Sequence, residues 1–429
     1  MRRCVALLFL AAACTSAPAL STGSPNEVPT AGELDLYITD TFNGAGLVAI
    51  DPLTLQDRAA KPLLDIAATA ANNSWTVASS DGGTIAVMNY NYGRPADPRS
   101  LDIAVFDTRT GTLRTRFSPE VPLIVDGLSA DGARIYARNW PPAEATAERL
   151  LLNATNGKIV EREPAFAIAG DQVARARDDQ ARRLYGLVVP SDPEATMPRA
   201  VDLASWDLKT GKEIWRLSLS SLTAGEWRTG RIIGGTEVRS RLVPALALSP
   251  DRRQLAIVRA FGCCVPNGTI WLVDAETGTL VSERTFARSS SFLDQLFAPS
   301  IAAAKSLDES VVVTASFSPD GQLLYVHAQM TRVDDQGDPR DQYLGMAAVA
   351  VRDAVVRGDD IKMEIYWYEN RVKWTRTSAD GRWLYVFLER TGSANPKGHY
   401  LRRLDASTLK VLAERRFDTY REPFLLARR

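Results

Sequence analysis

The stretch SFSPDGQLLYVHA (Ser316–Ala328) sets a Ser-Pro-Asp-Gly turn between two apolar runs. Related stretches recur along the chain: SSDGGTIAVMN from Ser79, LSADGARIYAR from Leu128, LSPDRRQLAIV from Leu248 and TSADGRWLYVF from Thr377. Proline presets φ, aspartate accepts hydrogen bonds from the turn, and glycine relieves backbone strain. Each copy therefore predicts a hairpin whose second strand is apolar.

A second phrase alternates with the first. It reads FDTRTGTLRTRF from Phe106, LNATNGKIVERE from Leu152, WDLKTGKEIWRL from Trp206 and VDAETGTLVSER from Val273, with looser copies from Ile50, Arg352 and Leu404. The shared feature is Asp or Asn, two residues, Thr or Asn, then Gly, which is typical of a tight turn between strands. Seven such stations occur, at Asp51, Asp107, Asn153, Asp207, Asp274, Asp353 and Asp405.

The alternation defines one repeating unit of strand, SxDG turn, strand, variable loop, strand, DxxTG turn and strand. Short runs that are apolar on both faces, such as DIAVF and TIWLV, indicate strands buried between two other sheets. The sequence therefore predicts an all-β fold, a seven-bladed β-propeller of four-stranded antiparallel blades. The stations are on average 59 residues apart, which exceeds the usual repeat of about 40–50 residues because of long loops.

Two details of the propeller follow from the same pattern. The first station lacks an SxDG phrase before it, so we expect a blade shared by both chain ends, completed by REPFLLARR at the C-terminus or by the segment from Leu34. In the loop from Ala287 to Ser310, a set of three residues has helical spacing and predicts a short helix: Phe292, Leu296 and Phe297.

With these two turn phrases, the chain from Leu34 to Asp418 resembles YVTN-type and WD-repeat-like β-propellers of exported bacterial proteins, although the WD signature itself is absent. The resemblance implies the architecture. It leaves function open, because propellers of this kind include scaffolds, receptors, lactonases and dehydrogenases.

The N-terminus predicts export. Arg2 and Arg3 precede an apolar core, and LAAAC, which ends at Cys14, resembles the lipobox of bacterial lipoproteins, with Ala11 where leucine is usual. We expect a signal peptide over 1–13, a lipid on Cys14, a flexible tether over 14–33 and the propeller domain over 34–429. The alternative is cleavage after Ala19, which would release a secreted or periplasmic protein without the lipid.

Composition limits the classes of function. The 51 basic and 51 acidic side chains cancel, so no positive field favours nucleic acid as a partner. Only two histidines occur, which leaves few candidates for a zinc site or a histidine base. We interpret His327 as a packed strand residue and place His399 in a loop, with no nucleophile motif beside either.

Two loops could carry chemistry. Cys263 and Cys264 in FGCCVPNG are adjacent in an exported chain, which favours a vicinal disulfide. Quinoprotein alcohol dehydrogenases place such a disulfide against pyrroloquinoline quinone, and the segment from Trp206 resembles their tryptophan docking repeat, with Gly211 and Trp215 in place. The docking tryptophan is missing after the other stations, so we interpret the cysteine pair as stiffening the loop, with no cofactor.

The second loop, DDQGDPRD, offers the carboxylates of Asp334, Asp335 and Asp338 as weak candidates for a metal. Their spacing departs from the EF-hand order, so we interpret the loop as solvated and expect no metal site.

Two function classes remain. The leading hypothesis is a cell-envelope binding or scaffold module whose partner is a protein, a glycan or a small ligand, joined to the membrane only by its N-terminal lipid. The alternative is a propeller enzyme, either a quinoprotein dehydrogenase or a lactonase-like metal hydrolase. We expect binding without catalysis, no catalytic residue and no cofactor.

Overall fold

The computed structural model describes residues 35–40, 46–57, 64–65, 74–79, 83–89, 102–107, 110, 112–119, 123–129, 131–139, 149–163, 170–178, 180–261, 267–287, 309–333, 339–360, 370–378, 380–390, 398–417 and 421–427. These residues form strands, turns and bends. The described part contains no helix of the length and apolar character that crossing a bilayer requires.

The first half of the chain contains β1 (Asp35–Asp40), β2 (Gly46–Ile50), β3 (Leu64–Asp65), β4 (Ser74–Ala78), β5 (Thr84–Asn89), β6 (Asp102–Asp107), β7 (Thr112–Phe117), β8 (Leu123–Leu128), β9 (Arg134–Asn139), β10 (Arg149–Asn153), β11 (Ile159–Glu163), β12 (Asp171–Asp178), β13 (Arg183–Val189), β14 (Arg199–Asp207) and β15 (Glu213–Ile233). The second half contains β16 (Thr236–Val243), β17 (Ala245–Leu248), β18 (Gln254–Phe261), β19 (Asn267–Asp274), β20 (Leu280–Ala287), β21 (Glu309–Phe317), β22 (Leu323–Val333), β23 (Pro339–Ala350), β24 (Val356–Asp360), β25 (Asn370–Thr377), β26 (Trp383–Arg390), β27 (Gly398–Asp405), β28 (Val411–Phe417) and β29 (Arg421–Ala427).

The strands pair almost entirely with their sequence neighbours, in antiparallel register. Four-stranded sheets are formed by β4–β7, β8–β11, β17–β20 and β25–β28, and a fifth has the order β29-β1-β2-β3. The strands β12–β15 and β21–β24 belong to a nine-stranded sheet in which β16 stands between β15 and β21. The fold is an all-β propeller with four-stranded antiparallel blades, as the alternating turns predict.

The expectation of a shared blade is confirmed. The C-terminal strand β29 pairs with the N-terminal strand β1 in one sheet, with Leu426 opposite Leu36. A second link between distant parts of the chain lies nearby, where the Tyr385 hydroxyl donates to the carbonyl of Pro52 at 3.1 Å. The two ends of the chain therefore close the ring of sheets.

The SxDG turns hydrogen-bond internally as their residues predict. In the quoted stretch, Ser318 Oγ donates to Asp320 Oδ1 at 2.5 Å and accepts from the Leu323 amide at 2.8 Å, while Gly321 takes a φ of +71°. The hydrogen bond from Ser318 lowers the pKa of the Asp320 carboxyl. The turns at Ser129, Ser249 and Ser378 repeat this pattern.

The DxxTG turns satisfy their own polar groups in the same way. Asp207 Oδ1 accepts from the amides of Lys209 at 3.0 Å and Thr210 at 2.7 Å, and Gly211 takes a φ of +69°. One station is three residues from its predicted place. The turn assigned to Asp353 begins at Ala350, whose carbonyl accepts from the Ala354 amide at 2.8 Å. Asp353 therefore occupies the position that Thr210 holds in the turn at Asp207. The first position of this turn, Ala350, has no side chain that can accept a hydrogen bond.

Burial follows the position of a strand within its sheet. The second and third strands are buried on both faces, as the burial of the β13 residues 184–189 illustrates. The fourth strands are largely exposed, with charged residues such as Arg114 and Arg116 on β7. Apolar clusters join neighbouring sheets; one contains Ile270 of β19, Phe317 of β21 and Val349 of β23. The core is thus distributed between the sheets.

Candidate functional site

The two ends of the sheets differ, and this difference defines the candidate site. SxDG turns join first to second strands and DxxTG turns join third to fourth strands, so both lie at one end, here called the turn face. The longer connections, from second to third strands and from one sheet to the next, leave from the opposite end, here called the loop face. Binding residues of propeller-like scaffolds concentrate on such variable loops.

A hairpin formed by β15 and β16 is the largest described feature of the loop face. The long spacing of the stations predicts loops between strands, but here β15 continues past its sheet to Ile233 and turns back through Gly234 and Gly235, with φ values of +57° and +82°. Ile233 is paired with Thr236. A Gly-Gly pair between alternating residues is a hairpin signal that the sequence did carry.

Contacts at both ends hold the hairpin across the loop face. Near its base, the Arg228 amide donates to the carbonyl of Ala195 at 2.7 Å, and the Arg228 side chain pairs with Glu194 and Glu237. Further along, Arg231 Nη1 donates to the carbonyl of Val333 at 2.9 Å, at the end of β22. The hairpin therefore connects the β12–β15 strands with the β21–β24 strands.

Two large apolar side chains on this face are unusually exposed. Ile232, near the hairpin tip, has 70% of its surface exposed, and Met197, in the connection from β13 to β14, has 64%. The other exposed large apolar residues of the described ranges lie at or near the first residues of fourth strands, as Val160 and Leu280 do. Contiguous exposed apolar surface with a polar rim is typical of surfaces that bind another molecule.

The site residues predicted from sequence lie outside the described residues. These are Cys14, the pair Cys263 and Cys264, and the carboxylates Asp334, Asp335 and Asp338. The flanking strands place the ends of both loops on the loop face: Phe261 is paired with Asn267, and Val333 with Pro339. The segment with helical spacing around Phe292 also lies outside the described ranges.

Both histidines are described. His327 is 8% exposed on β22, and its two ring nitrogens lie 2.7 and 2.6 Å from Thr314 Oγ1. Burial lowers the pKa of His327 to about 4, so this ring is neutral at pH 7. Its packed position agrees with the sequence interpretation.

His399 differs from its expected place. It lies within β27 rather than in a loop, paired with Glu389, and its ring stacks on Phe387 with centroids 5.6 Å apart. Its Nε2 is 3.8 Å from Glu389 Oε1. The strand begins earlier than the Asn-Pro-Lys-Gly sequence suggests, because the β26 partner extends to Arg390.

The first strand of one sheet, β25, carries several basic residues. Arg376 on β25 is exposed, yet the surrounding protein lowers the pKa of its guanidinium by desolvation. This combination fits a side chain that the ring of strands surrounds without covering. Within the described ranges, no group of three or more His, Cys, Asp or Glu side chains is placed to hold a metal ion.

The segment that resembles a tryptophan docking repeat also makes a docking contact. The Trp215 indole of β15 packs on the turn glycine Gly278 of the neighbouring β17–β20 sheet. Phe117 of β7 packs in the same way on Gly157, although the sequence pattern did not single it out. Both contacts stabilise the join between two blades.

No protein-family model matches the chain. No curated protein matches it either. Among solved structures, it is similar to a "putative 6-phosphogluconolactonase" from Bacteroides fragilis, at 13% identity over 92% of this chain and 98% of that chain, with a TM-score of 0.46. A protein of the same description from Bacteroides uniformis matches at 12% identity over 91% and 99%, with a TM-score of 0.47. The quinohemoprotein alcohol dehydrogenase from Comamonas testosteroni matches at 13% identity over 81% and 69%, with a TM-score of 0.38. At these values the similarities say nothing about activity.

Proposed function

We propose that this chain is a seven-bladed, extracytoplasmic propeller that binds a protein partner in the cell envelope through its loop face. The blade count follows if β12–β15 and β21–β24 are two blades that β16 joins, because seven groups of four strands then match the seven DxxTG stations. The proposed extracytoplasmic location rests on LAAAC, which ends at Cys14 and marks that residue for lipid attachment.

One observation carries the binding role: the β15–β16 hairpin extends beyond its sheet and exposes Ile232 beside a band of paired charges. The polar side chains of the turns on the opposite face form hydrogen bonds within their own turns. Fewer of their polar groups are therefore available to a partner. An apolar anchor with a charged surround is the usual anatomy of a protein–protein interface. The ends of the loop that contains Cys263 and Cys264 lie on the same face, and we expect the pair to stiffen this loop as a disulfide.

The test compares two pairs of substitutions that remove exposed apolar surface. Ile232→Ser with Met197→Ser alters the loop face, and Val160→Ser with Leu280→Ser alters fourth strands that begin near the turn face. Each full-length chain is immobilised and exposed to solubilised envelope extract. We expect the wild type and the Val160/Leu280 variant to retain the same protein, and the Ile232/Met197 variant to lose it.

Equal retention by both variants, or no retained protein, would contradict the proposal. The enzyme alternative is tested on the same preparation with pyrroloquinoline quinone, calcium, an alcohol panel and a redox dye, and with lactones plus divalent metals. Turnover that Cys263→Ser with Cys264→Ser abolishes would replace the binding role with an oxidoreductase. Metal-dependent lactone hydrolysis would replace it with a hydrolase.

A further inference from the structure

Six of the fourth strands share an irregularity close to their first residue. In each, the pairing with the third strand skips one residue, which is the mark of a β-bulge. On β11, for example, Leu151 is opposite Glu161 and Leu152 is opposite Ile159, so Val160 has no residue opposite it. The skipped residues, here called the bulge rim, are Arg114, Val160, Ile214, Val281, Arg357 and Leu412.

Four of the six rim residues are apolar and exposed. Val160, Ile214, Val281 and Leu412 have between 41% and 55% of their surface exposed. Of the eleven large apolar residues that are exposed in the described ranges, nine lie at a bulge or within two residues of it. Apolar residues scattered singly over a surface need no explanation, but these recur at one structural position.

The bulge rim lies at the edge of the turn face, because these fourth strands begin directly after their DxxTG turns. The N-terminal part of the chain joins the same face. In the sheet of order β29-β1-β2-β3, Leu36 near the start of β1 is opposite Ile50, which directly precedes the turn at Asp51. The 20 residues between Cys14 and Asp35 span at most about 70 Å. A lipid on Cys14 would therefore attach the bilayer on the side of the turn face.

Cationic side chains accompany the apolar rim. Lys158, Lys212 and Lys410 are exposed and precede the apolar rim residues of their strands by two residues. The other two rim residues, Arg114 and Arg357, each pair with an aspartate of the preceding turn. Long cationic side chains can keep their charge among lipid headgroups while their stems lie along apolar surface. The aspartates of the DxxTG turns lie on the same face, so these cations offset negative charge and the attraction to a bilayer is mainly apolar.

We propose that the bulge rim inserts its apolar side chains into the surface of the bilayer that holds the lipid of Cys14. The lipid itself rests on the proposed function. Once it is anchored, the local concentration of membrane is high, so a surface of weak affinity is enough to set the orientation. The loop face with the β15–β16 hairpin then points away from the membrane, where an envelope partner can reach Ile232.

The experiment places the lipidated chain, isolated from membranes, in phosphatidylcholine vesicles that contain a phospholipid with a photoactivatable diazirine in its acyl chain. Mass spectrometry then locates the cross-linked peptides. We expect cross-links in peptides that contain Val160, Val281 or Leu412, and none in the hairpin peptide that contains Ile232. Serine at all four apolar rim positions should lower the yield at least about tenfold, because burial of aliphatic side chains drives the insertion. The four substitutions are Val160→Ser, Ile214→Ser, Val281→Ser and Leu412→Ser.

The matched control is Ile232→Ser with Met197→Ser, which removes exposed apolar side chains from the loop face. It should leave the cross-link map unchanged. The melting temperature of the rim variant should equal that of the wild type, because the four replaced side chains are exposed; if it is lower, the map of the wild type decides alone. Cross-links in the hairpin, an even distribution over the chain, or none on the rim would overturn the proposal.

The rim and the lipid can fail separately. If the chain carries no lipid and begins at Leu20, the same illumination with vesicles in excess still tests the rim: cross-links there uphold this inference while the prediction for Cys14 fails, and their absence overturns it. A dimer that the rim variant converts into monomers, without cross-links to lipid, would show that a second copy covers the rim instead. Partner retention from solubilised extract reports on the loop face alone.

Discussion

The Trp215 indole packs on Gly278 so closely that a Cβ built on the glycine would stand 2.6 Å from the ring. Gly278 also takes a φ of +73°, because the DxxTG turn needs a left-handed residue there. One glycine thus meets two requirements at once, a local one from its turn and a tertiary one from the next blade. Comparison with a glycine that meets only the first requirement separates the two contributions to stability.

We expect Gly278→Ala to destabilise the protein more than Gly235→Ala. Gly235, at the hairpin tip, has a similar φ of +82° but nothing within 4 Å of a built Cβ. In both variants an alanine must adopt a left-handed backbone conformation, which costs on the order of 1 kcal/mol. Only Gly278→Ala adds overpacking, typically about 1–3 kcal/mol. Urea unfolding measures the free energy of unfolding of both variants. Equal losses would show that the Trp215 side chain can move aside without an energetic cost.

The sequence predicted most of the fold because its signals are local. Serine and aspartate side chains close the turns within a few residues, so the motif and its hydrogen bonds coincide at Ser318 and Asp207. Where the acceptor side chain is missing, the predicted turn is displaced by three residues, as at Ala350. Leu55, Ala354 and Leu409 show that the turn tolerates a left-handed residue other than glycine at this position.

The candidate sites were harder to predict, since they depend on contacts distant in sequence. The hairpin is anchored by Arg231 to Val333, about a hundred residues away, and no local pattern encodes that bond. The ion pair between Asp126 and Arg175 likewise joins two sheets, and no local pattern encodes it. The alternation of apolar and polar residues indicates which face of a sheet is buried. It does not predict how two sheets pack against each other.

Ring closure should contribute strongly to stability. Deleting 418–429 removes β29, which leaves the edge of β1 without its partner and opens the ring. We expect a lower melting temperature and aggregation on heating, whereas a chain ending at Ala427 should behave as the wild type. Tyr385→Phe, which removes the bond to Pro52, should cost about 1 kcal/mol. An unchanged melting temperature after the larger deletion would contradict the role assigned to β29.

The predicted lipid on Cys14 can be tested in cells. Metabolic labelling with a fatty acid should mark the wild type, and Cys14→Ser should prevent both labelling and cleavage before residue 14, because the acylated cysteine becomes the mature N-terminus. Cys263→Ser with Cys264→Ser is the matched control and should label normally. A mature N-terminus at Leu20 would instead support a protein released by the ordinary signal peptidase.

His327 should make the protein less stable as the pH falls from about 6.5 to about 4. The ring has an unfolded pKa near 6.5 and a folded pKa of about 4, so below 6.5 the unfolded state takes up a proton that the folded state refuses. The stability lost over this window is on the order of 3 kcal/mol. Turn carboxylates such as Asp251 and Asp320 have lowered pKa values, so their contribution is lost only at pH values below the window.

Urea unfolding at pH 7.5, 6, 5 and 4.5 measures this slope directly. His327→Gln carries no titrating group and should show a flatter dependence on pH, whatever its stability at pH 7.5. If His327→Gln and the wild type lose stability in parallel, the ring is protonated in the folded protein, and the buried environment formed with Thr314 does not exclude the charge.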